Sequence, residues 1–306
     1  MAEQTPRRRA LVTGARGLLG AELCPALAAA GWQVLAADIE ECDITEPDAV
    51  RRFVAECQPR LIVNCAAYTA VDRAEAEPDL AFRVNRDGAA NVARAAAVVG
   101  AALVHMSTDY VFDGEKAGPY TEDDPPHPLG VYGASKLAGE LAVRETLPNH
   151  FLLRTAWLFG HHGPCFPRTI LARARAGQPL RVVNDQIGSP TYTAHLAQAI
   201  CAIVEQPHYG AYHVANSGAC TWYDLAVQVL REAGLPAQVT PVTTCDYPTP
   251  ARRPANSALD PGKLRRVYGL ELPPWQQAVA EFAARWRREH EPSRHPPTPP
   301  PAPGGP

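Results

Sequence analysis

Arg9-Ala10-Leu11-Val12-Thr13-Gly14-Ala15-Arg16-Gly17-Leu18-Leu19-Gly20 is the stretch that decides the fold. A short apolar run ends in three glycines spaced three apart, and residues 18–30 then read as a helix closed by Gly31. Gly14 permits the tight turn, Gly17 lets a pyrophosphate approach the backbone, and Gly20 lets the helix pack close to the strand. The helix N-terminus offers free N–H groups and a partial positive charge to the phosphates. A glycine triplet alone is a weak signal. The strand before it and the helix after it supply the context of a dinucleotide-binding loop.

Working outward, β-like runs alternate with helical stretches. Residues 33–37 form a second strand. Thr45 caps a helix that runs to residue 57, with Asp48 answering three residues on. Residues 61–63 are a third strand, 79–99 a long alanine-rich helix, 102–106 a fourth strand and 151–154 a fifth. This alternation predicts an α/β fold with a doubly wound, Rossmann-like parallel sheet. The second half is less regular and predicts a smaller C-terminal substrate-binding domain. Residues 8–160, with about 190–215, make up the dinucleotide domain; about 161–189 and 216–290 make up the substrate domain. Thr221-Trp222-Tyr223-Asp224 is a second capping pattern, and Trp275, Val279, Phe282 and Trp286 give the last helix one apolar face for the core. Residues 291–306 are a proline-rich tail expected to be disordered.

The 306 residues suit one large domain or two joined ones, and 46% hydrophobic content supports a sizeable core. A net charge of -3 shows no nucleic-acid footprint. Arg7-Arg8-Arg9 could open a secretion signal, but the glycines that follow spoil its apolar core. No apolar run is long enough to span a membrane. Eight scattered cysteines without a Cys-x-x-Cys pair suit reduced thiols in a cytoplasmic protein. His161-His162-x-x-Cys165 lacks a fourth ligand at a recognisable spacing, and no metal is expected.

Asp38 ends the second strand, where an acid would meet the ribose hydroxyls and favour NADH; Arg16 could hold a 2′-phosphate and favour NADPH. Either NADH or NADPH fits. In Tyr132-Gly133-Ala134-Ser135-Lys136, a helix puts Tyr132 and Lys136 on one face. A nearby ammonium is expected to lower the phenol's pKa and make Tyr132 a usable acid or base. Ser107 and Thr108 follow the fourth strand, beyond the carboxyl ends of the strands where ligands bind in such sheets.

Together with Asn64-Cys65-Ala66-Ala67-Tyr68-Thr69-Ala70-Val71-Asp72-Arg73-Ala74-Glu75, Ser107-Thr108-Asp109-Tyr110-Val111-Phe112-Asp113-Gly114, Arg154-Thr155-Ala156-Trp157, Asn184-Asp185-Gln186-Ile187-Gly188-Ser189-Pro190-Thr191 and Tyr247-Pro248-Thr249-Pro250-Ala251-Arg252-Arg253-Pro254, these motifs resemble the extended short-chain dehydrogenase/reductase superfamily. Within it they are most similar to the dTDP-4-dehydrorhamnose reductase family, across roughly residues 9–288. The resemblance implies reduction of the 4-keto group of a nucleotide sugar. It assigns Tyr132 as proton donor, Lys136 as its partner and Thr108 as the residue that tunes Tyr132. Thr108, Asp109 and Trp157 would meet the sugar, and Arg16, Gly17 and Leu18 the cofactor phosphates. Asp43 and Ile44 would lie along the adenosine, with Ala67, Tyr68 and Thr69 on its other side. Some members are magnesium-linked dimers using carboxylates near the glycine loop. This loop has Arg16 and no carboxylate, and a monomer or homodimer is expected. Two other readings stay open. One is a different nucleotide-sugar enzyme, such as a 4-epimerase or dehydratase. The other is a non-catalytic subunit like the regulatory subunit of methionine adenosyltransferase.

Overall fold

A computed structural model describes residues 8–290; the expected disorder of 291–306 lies outside the described residues. β1 (Arg9–Thr13), α1 (Gly20–Ala29), β2 (Gln33–Ala37), α2 (Pro47–Cys57) and β3 (Leu61–Asn64) open the chain. Short helices α3 (Val71–Ala74) and α4 (Pro78–Phe82), a π turn over Arg83–Gly88 and α5 (Ala89–Val99) lead to β4 (Ala102–Thr108). Next come α6 (Val131–Thr146), β5 (His150–Thr155), β6 (Leu158–Phe159) and α7 (Phe166–Arg175). The last part holds β7 (Leu180–Val183), β8 (Ile187–Gly188), β9 (Thr191–Tyr192), α8 (Thr193–Ile203), β10 (Gly210–His213), β11 (Cys220–Thr221), α9 (Trp222–Ala233), β12 (Val239–Val242), α10 (Gly262–Tyr268) and α11 (Trp275–His290).

The central sheet has the order β10-β5-β4-β3-β1-β2 and every pairing in it is parallel. The chain goes from β1 outward to β2, then returns to the other side of β1 for β3. That reversal opens a crevice beyond the carboxyl ends of β1 and β3, where ligands of such sheets bind. Alternation along the strands builds two cores. Val12, Val63, Val104 and Leu153 face α1 and α8 through Leu23, Leu27, Leu196 and Ile200. Leu11, Ile62, Leu103 and Leu152 face α2 and α5 through Val50, Val54, Val92 and Ala96. A third core lies in the C-terminal part, where Trp275, Val279, Phe282 and Trp286 of α11 meet Phe159, Leu225 and Val229. The tryptophans of α11 are therefore core, as their spacing implied.

Three local expectations change. The first helix starts at Gly20, two residues late, because Leu18 and Leu19 are spent on the turn. Thr45 does not cap α2: its hydroxyl donates to Asp43 at 2.8 Å, and Pro47 opens the helix behind Glu46. The alanine-rich helix is interrupted by the π turn. The capping box at Thr221 and Asp224 does form.

Deep between β4, β5 and α6 sits a buried ion pair. Arg154 donates to both carboxylate oxygens of Glu140, at 2.8 and 2.7 Å, and Ser107 donates to the same group at 2.6 Å. Both charged side chains are 1% exposed or less. Arg154→Met is expected to lower stability by ~3–5 kcal/mol, because it strands a buried carboxylate. Urea denaturation checks this, and adding Glu140→Leu should recover much of the loss.

Candidate active site

The glycine loop leaves β1 with Gly14 at φ +65°, where a Cβ would lie 2.7 Å from the Ala66 nitrogen. A Cβ on Gly20 would lie 2.3 Å from the Gly14 carbonyl oxygen, so only glycine lets α1 start so near the strand. A Cβ on Gly17 would meet protein only at the Gly14 oxygen, and its other side opens into the crevice. Among the described residues, no side chain caps α1 and the amides of Leu18 and Leu19 bond to no protein group. Unpaired helix-start amides beside an open glycine suit a pyrophosphate. The donor set therefore fits a dinucleotide.

Thr108 closes β4, and Tyr132 and Lys136 lie one turn apart at the start of α6. The Lys136 ammonium donates to the Met106 carbonyl at 2.6 Å, which fixes it beneath the crevice. The Thr108 hydroxyl donates to Asp109 at 3.0 Å and accepts from the Tyr110 amide at 3.2 Å. Ser107, the other hydroxyl that sequence placed near a carbonyl, is turned to Glu140 instead. Asn85, in the π turn, ties the walls together. It accepts from the Tyr68 amide at 2.9 Å and donates to the Tyr68 carbonyl at 3.1 Å and to Ser135 at 2.9 Å. Ser135 donates in turn to the Tyr132 carbonyl at 2.8 Å.

Burial dominates the electrostatics. It pushes the Tyr132 phenol up to about 12, with the Asp109 charge adding to the rise and the Thr108 hydrogen bond opposing it. The expected lowering by Lys136, whose ammonium is turned to the Met106 carbonyl, is not found, and the phenol is held protonated. Burial also brings Lys136 down to about 8, against the pull of Glu140. Asp109 rises to about 6, again through burial, while hydrogen bonds from Ser257 and Thr108 oppose the shift. Its Oδ2 is buried without a partner.

One cleft of about 1290 Å³ joins these groups. Gly14, Gly17, Leu18, Gly20, Asp38, Asp43 and Ile44 line one end, and Ala67, Tyr68, Thr69, Thr108, Asp109, Tyr132, Lys136 and Trp157 line the rest. Arg16 is the sequence-selected residue that does not line it. Its guanidinium is bidentate on Glu41, at 3.0 and 3.3 Å, and also pairs with Glu40. Asp38 accepts from the Arg16 amide at 2.9 Å. Trp157 has a left-handed backbone, φ 46°, and its indole stacks on Trp222 at 3.5 Å. His161 and His162 turn apart, to Glu289 and Glu22.

The family model described as RmlD substrate binding domain matches residues 8–288. The chain belongs to this family. A dTDP-4-dehydrorhamnose reductase of Streptomyces griseus is 45% identical, over 90% of this chain and 93% of that protein. One from Aggregatibacter actinomycetemcomitans is 42% identical, over 90% and 98%. The crystal structure of the Bacillus anthracis dTDP-4-dehydrorhamnose reductase in complex with NADP superposes with a TM-score of 0.89 at 40% identity, covering 91% of this chain and 99% of that one.

Within this chain, sequence reading missed Asn85 and Trp222. An asparagine and a glycine inside an alanine-rich helix were the available signal for the first, since both are poor helix formers. Trp222 carried only a capping pattern. Among the described residues no helix is long and apolar enough to cross a membrane, and all eight cysteines are free thiols.

The raised Asp109 pKa has a stability consequence. The folded chain holds this proton more tightly than the unfolded chain, so stability from this group is lost as pH rises from about 4 to about 6. Asp109→Asn should remove that dependence. Its melting temperature should gain on wild type progressively across this window and hold the gain above it. A difference independent of pH, measured by scanning fluorimetry, would reject the assignment.

Proposed function

We propose that this chain reduces the 4-keto group of dTDP-4-dehydro-L-rhamnose, giving dTDP-L-rhamnose, with NADH or NADPH as reductant. The observation that carries this is the joining of Thr108, Tyr132 and Lys136 to the glycine cradle in one cleft. The nicotinamide, when bound, supplies the hydride to the keto carbon. Tyr132 supplies the proton to the keto oxygen, and a phenol held protonated by burial is the starting state that a reduction needs. Thr108 orients the phenol, and its single hydroxyl proton, given to Asp109 in this structure, turns to the same oxygen when the sugar is bound. The Lys136 ammonium, pinned by the Met106 carbonyl, stabilises the phenolate left behind. Asn85 and Ser135 hold the first turn of α6, and with it the phenol. Asp109 and Trp157 border the sugar end. The free cysteines support a cytoplasmic setting, and the net charge of -3 gives no support for a nucleic-acid partner. The working unit is a monomer or homodimer.

The test is consumption of NADH by the purified chain with the keto sugar, with the product identified by NMR. Absence of turnover would favour the binding-subunit reading, and formation of the 4-epimer would change the product assignment by placing the hydride on the other face of the same keto group. Tyr132→Phe should keep its cofactor affinity and lose turnover by about 10²–10⁴-fold. Wild-type turnover in that variant would remove Tyr132 from the chemistry.

The same geometry favours NADH. Asp38 lines the cleft, while Glu40 and Glu41 neutralise Arg16 outside it. A 2′-phosphate would meet three carboxylates around one guanidinium. NADH should bind roughly ten-fold tighter than NADPH, a ratio that a partly screened like-charge contact supplies. Freeing Arg16 with the double change Glu40→Gln and Glu41→Gln should narrow the gap. Nicotinamide fluorescence titration reads both, and equal wild-type affinities would reject the preference.

A further inference from the structure

Trp157 follows the catalytic end of β5 in a conformation that L side chains rarely adopt, with φ 46°. Its indole is clamped. The Trp222 ring stacks on it with centroids 3.5 Å apart and planes within 6°. Gly188 of β8 packs so closely that a Cβ there would sit 2.2 Å from Cε2 of Trp157 and 2.4 Å from Nε1. Trp222 is braced in turn by Phe166, at 4.7 Å. Its backbone is fixed by the capping box of Thr221 and Asp224, which sets the first turn of α9. Trp157, Phe166 and Trp222 all line the cleft.

These contacts cross the molecule. Trp157 comes from the loop after the central sheet, whereas Gly188, Phe166 and Trp222 come from C-terminal elements. Strained backbone persists only where its surroundings over-determine it. Here the surroundings are an aromatic face, a glycine floor and a capped helix. We infer that Trp222 is a positioning residue for the sugar: with Gly188 it clamps the Trp157 indole and builds the aromatic wall against which an apolar sugar face is seated. This rests on the reductase reading above and adds to it a residue on α9 that acts through Trp157.

A clamp of this kind acts on sugar binding and leaves the cofactor end alone. Trp222→Ala is expected to raise KM for dTDP-4-dehydro-L-rhamnose about ten-fold, with kcat little changed and the NADH dissociation constant as in wild type. Trp222→Phe keeps a ring against both Trp157 and Phe166 and should restore most of the affinity. Gly188→Ala leaves Trp222 in place but drives a methyl into the Trp157 ring, and should raise KM as Trp222→Ala does. Two face-to-face indoles also give a coupled circular-dichroism band. That band should vanish in Trp222→Ala and Trp157→Phe alike and weaken in Gly188→Ala. A wild-type KM in Trp222→Ala or Gly188→Ala overturns the inference, as does a rise in KM matched by an equal loss of NADH affinity. If Trp222→Ala fails to fold, Trp222→Phe and Gly188→Ala decide on the same readings. Wild-type turnover tests the reductase reading separately, so unchanged KM values in an active enzyme sink only the role of Trp222.

Discussion

The carboxylate of Glu140 is the point from which the site is hung. It takes both forks of the Arg154 guanidinium and the Ser107 hydroxyl, with almost no water access. One group thereby fixes the phase of α6 against the last turns of β4 and β5. Lys136 lies one helical turn before Glu140 and Tyr132 one turn before that, so the same phase aims both into the crevice. Thr108 and Thr155, at the ends of the two strands so joined, border the cleft as well. A buried ion pair is a costly way to gain stability, since desolvation offsets much of the attraction. What this one supplies is registry: a helix that slipped or rotated would leave two charges unpaired.

Burial then sets the chemistry of the groups so aimed. The Tyr132 phenol is kept neutral and the Lys136 ammonium is weakened, both by exclusion from water. A low local dielectric keeps the proton on the phenol and strengthens the attraction between the charged ammonium and the phenolate that forms once the proton leaves. The glycine-loop end of the cleft differs in kind, with unpaired amides, a helix start and a rim of exposed carboxylates around Arg16. One cleft therefore has a dry end around Tyr132 and Lys136 and a wet end at the glycine loop.

Much of this was legible in the sequence because it is local. Glycine spacing fixes the turn after β1, two-residue alternation fixes the strand faces, and a four-residue interval puts Tyr132 and Lys136 together. What escaped was mostly set at a distance, with Thr45 a local exception. The Thr45 hydroxyl had two short-range partners to choose from, and it took Asp43 over the helix start. The two hydroxyls of Ser107 and Thr108 looked alike until Glu140 claimed one of them. The sign of the Tyr132 shift depended on how completely the fold buries the ring, which no spacing reveals. Trp222 could be paired with Trp157 only after the C-terminal elements had folded back on the sheet.

The π turn at Arg83–Gly88 sets a limit on how this chain can change in length. A π turn carries one residue more than an α-helix needs to cover the same rise, and here that surplus brings Asn85 to Tyr68 and Ser135 at once. Loss of the surplus residue would let the segment close into an ordinary α-helical turn and remove the local offset that places Asn85. Asn85 would then face away from its two partners. A deletion inside this segment therefore costs the site two anchoring contacts, whereas one in the surrounding loops leaves them in place.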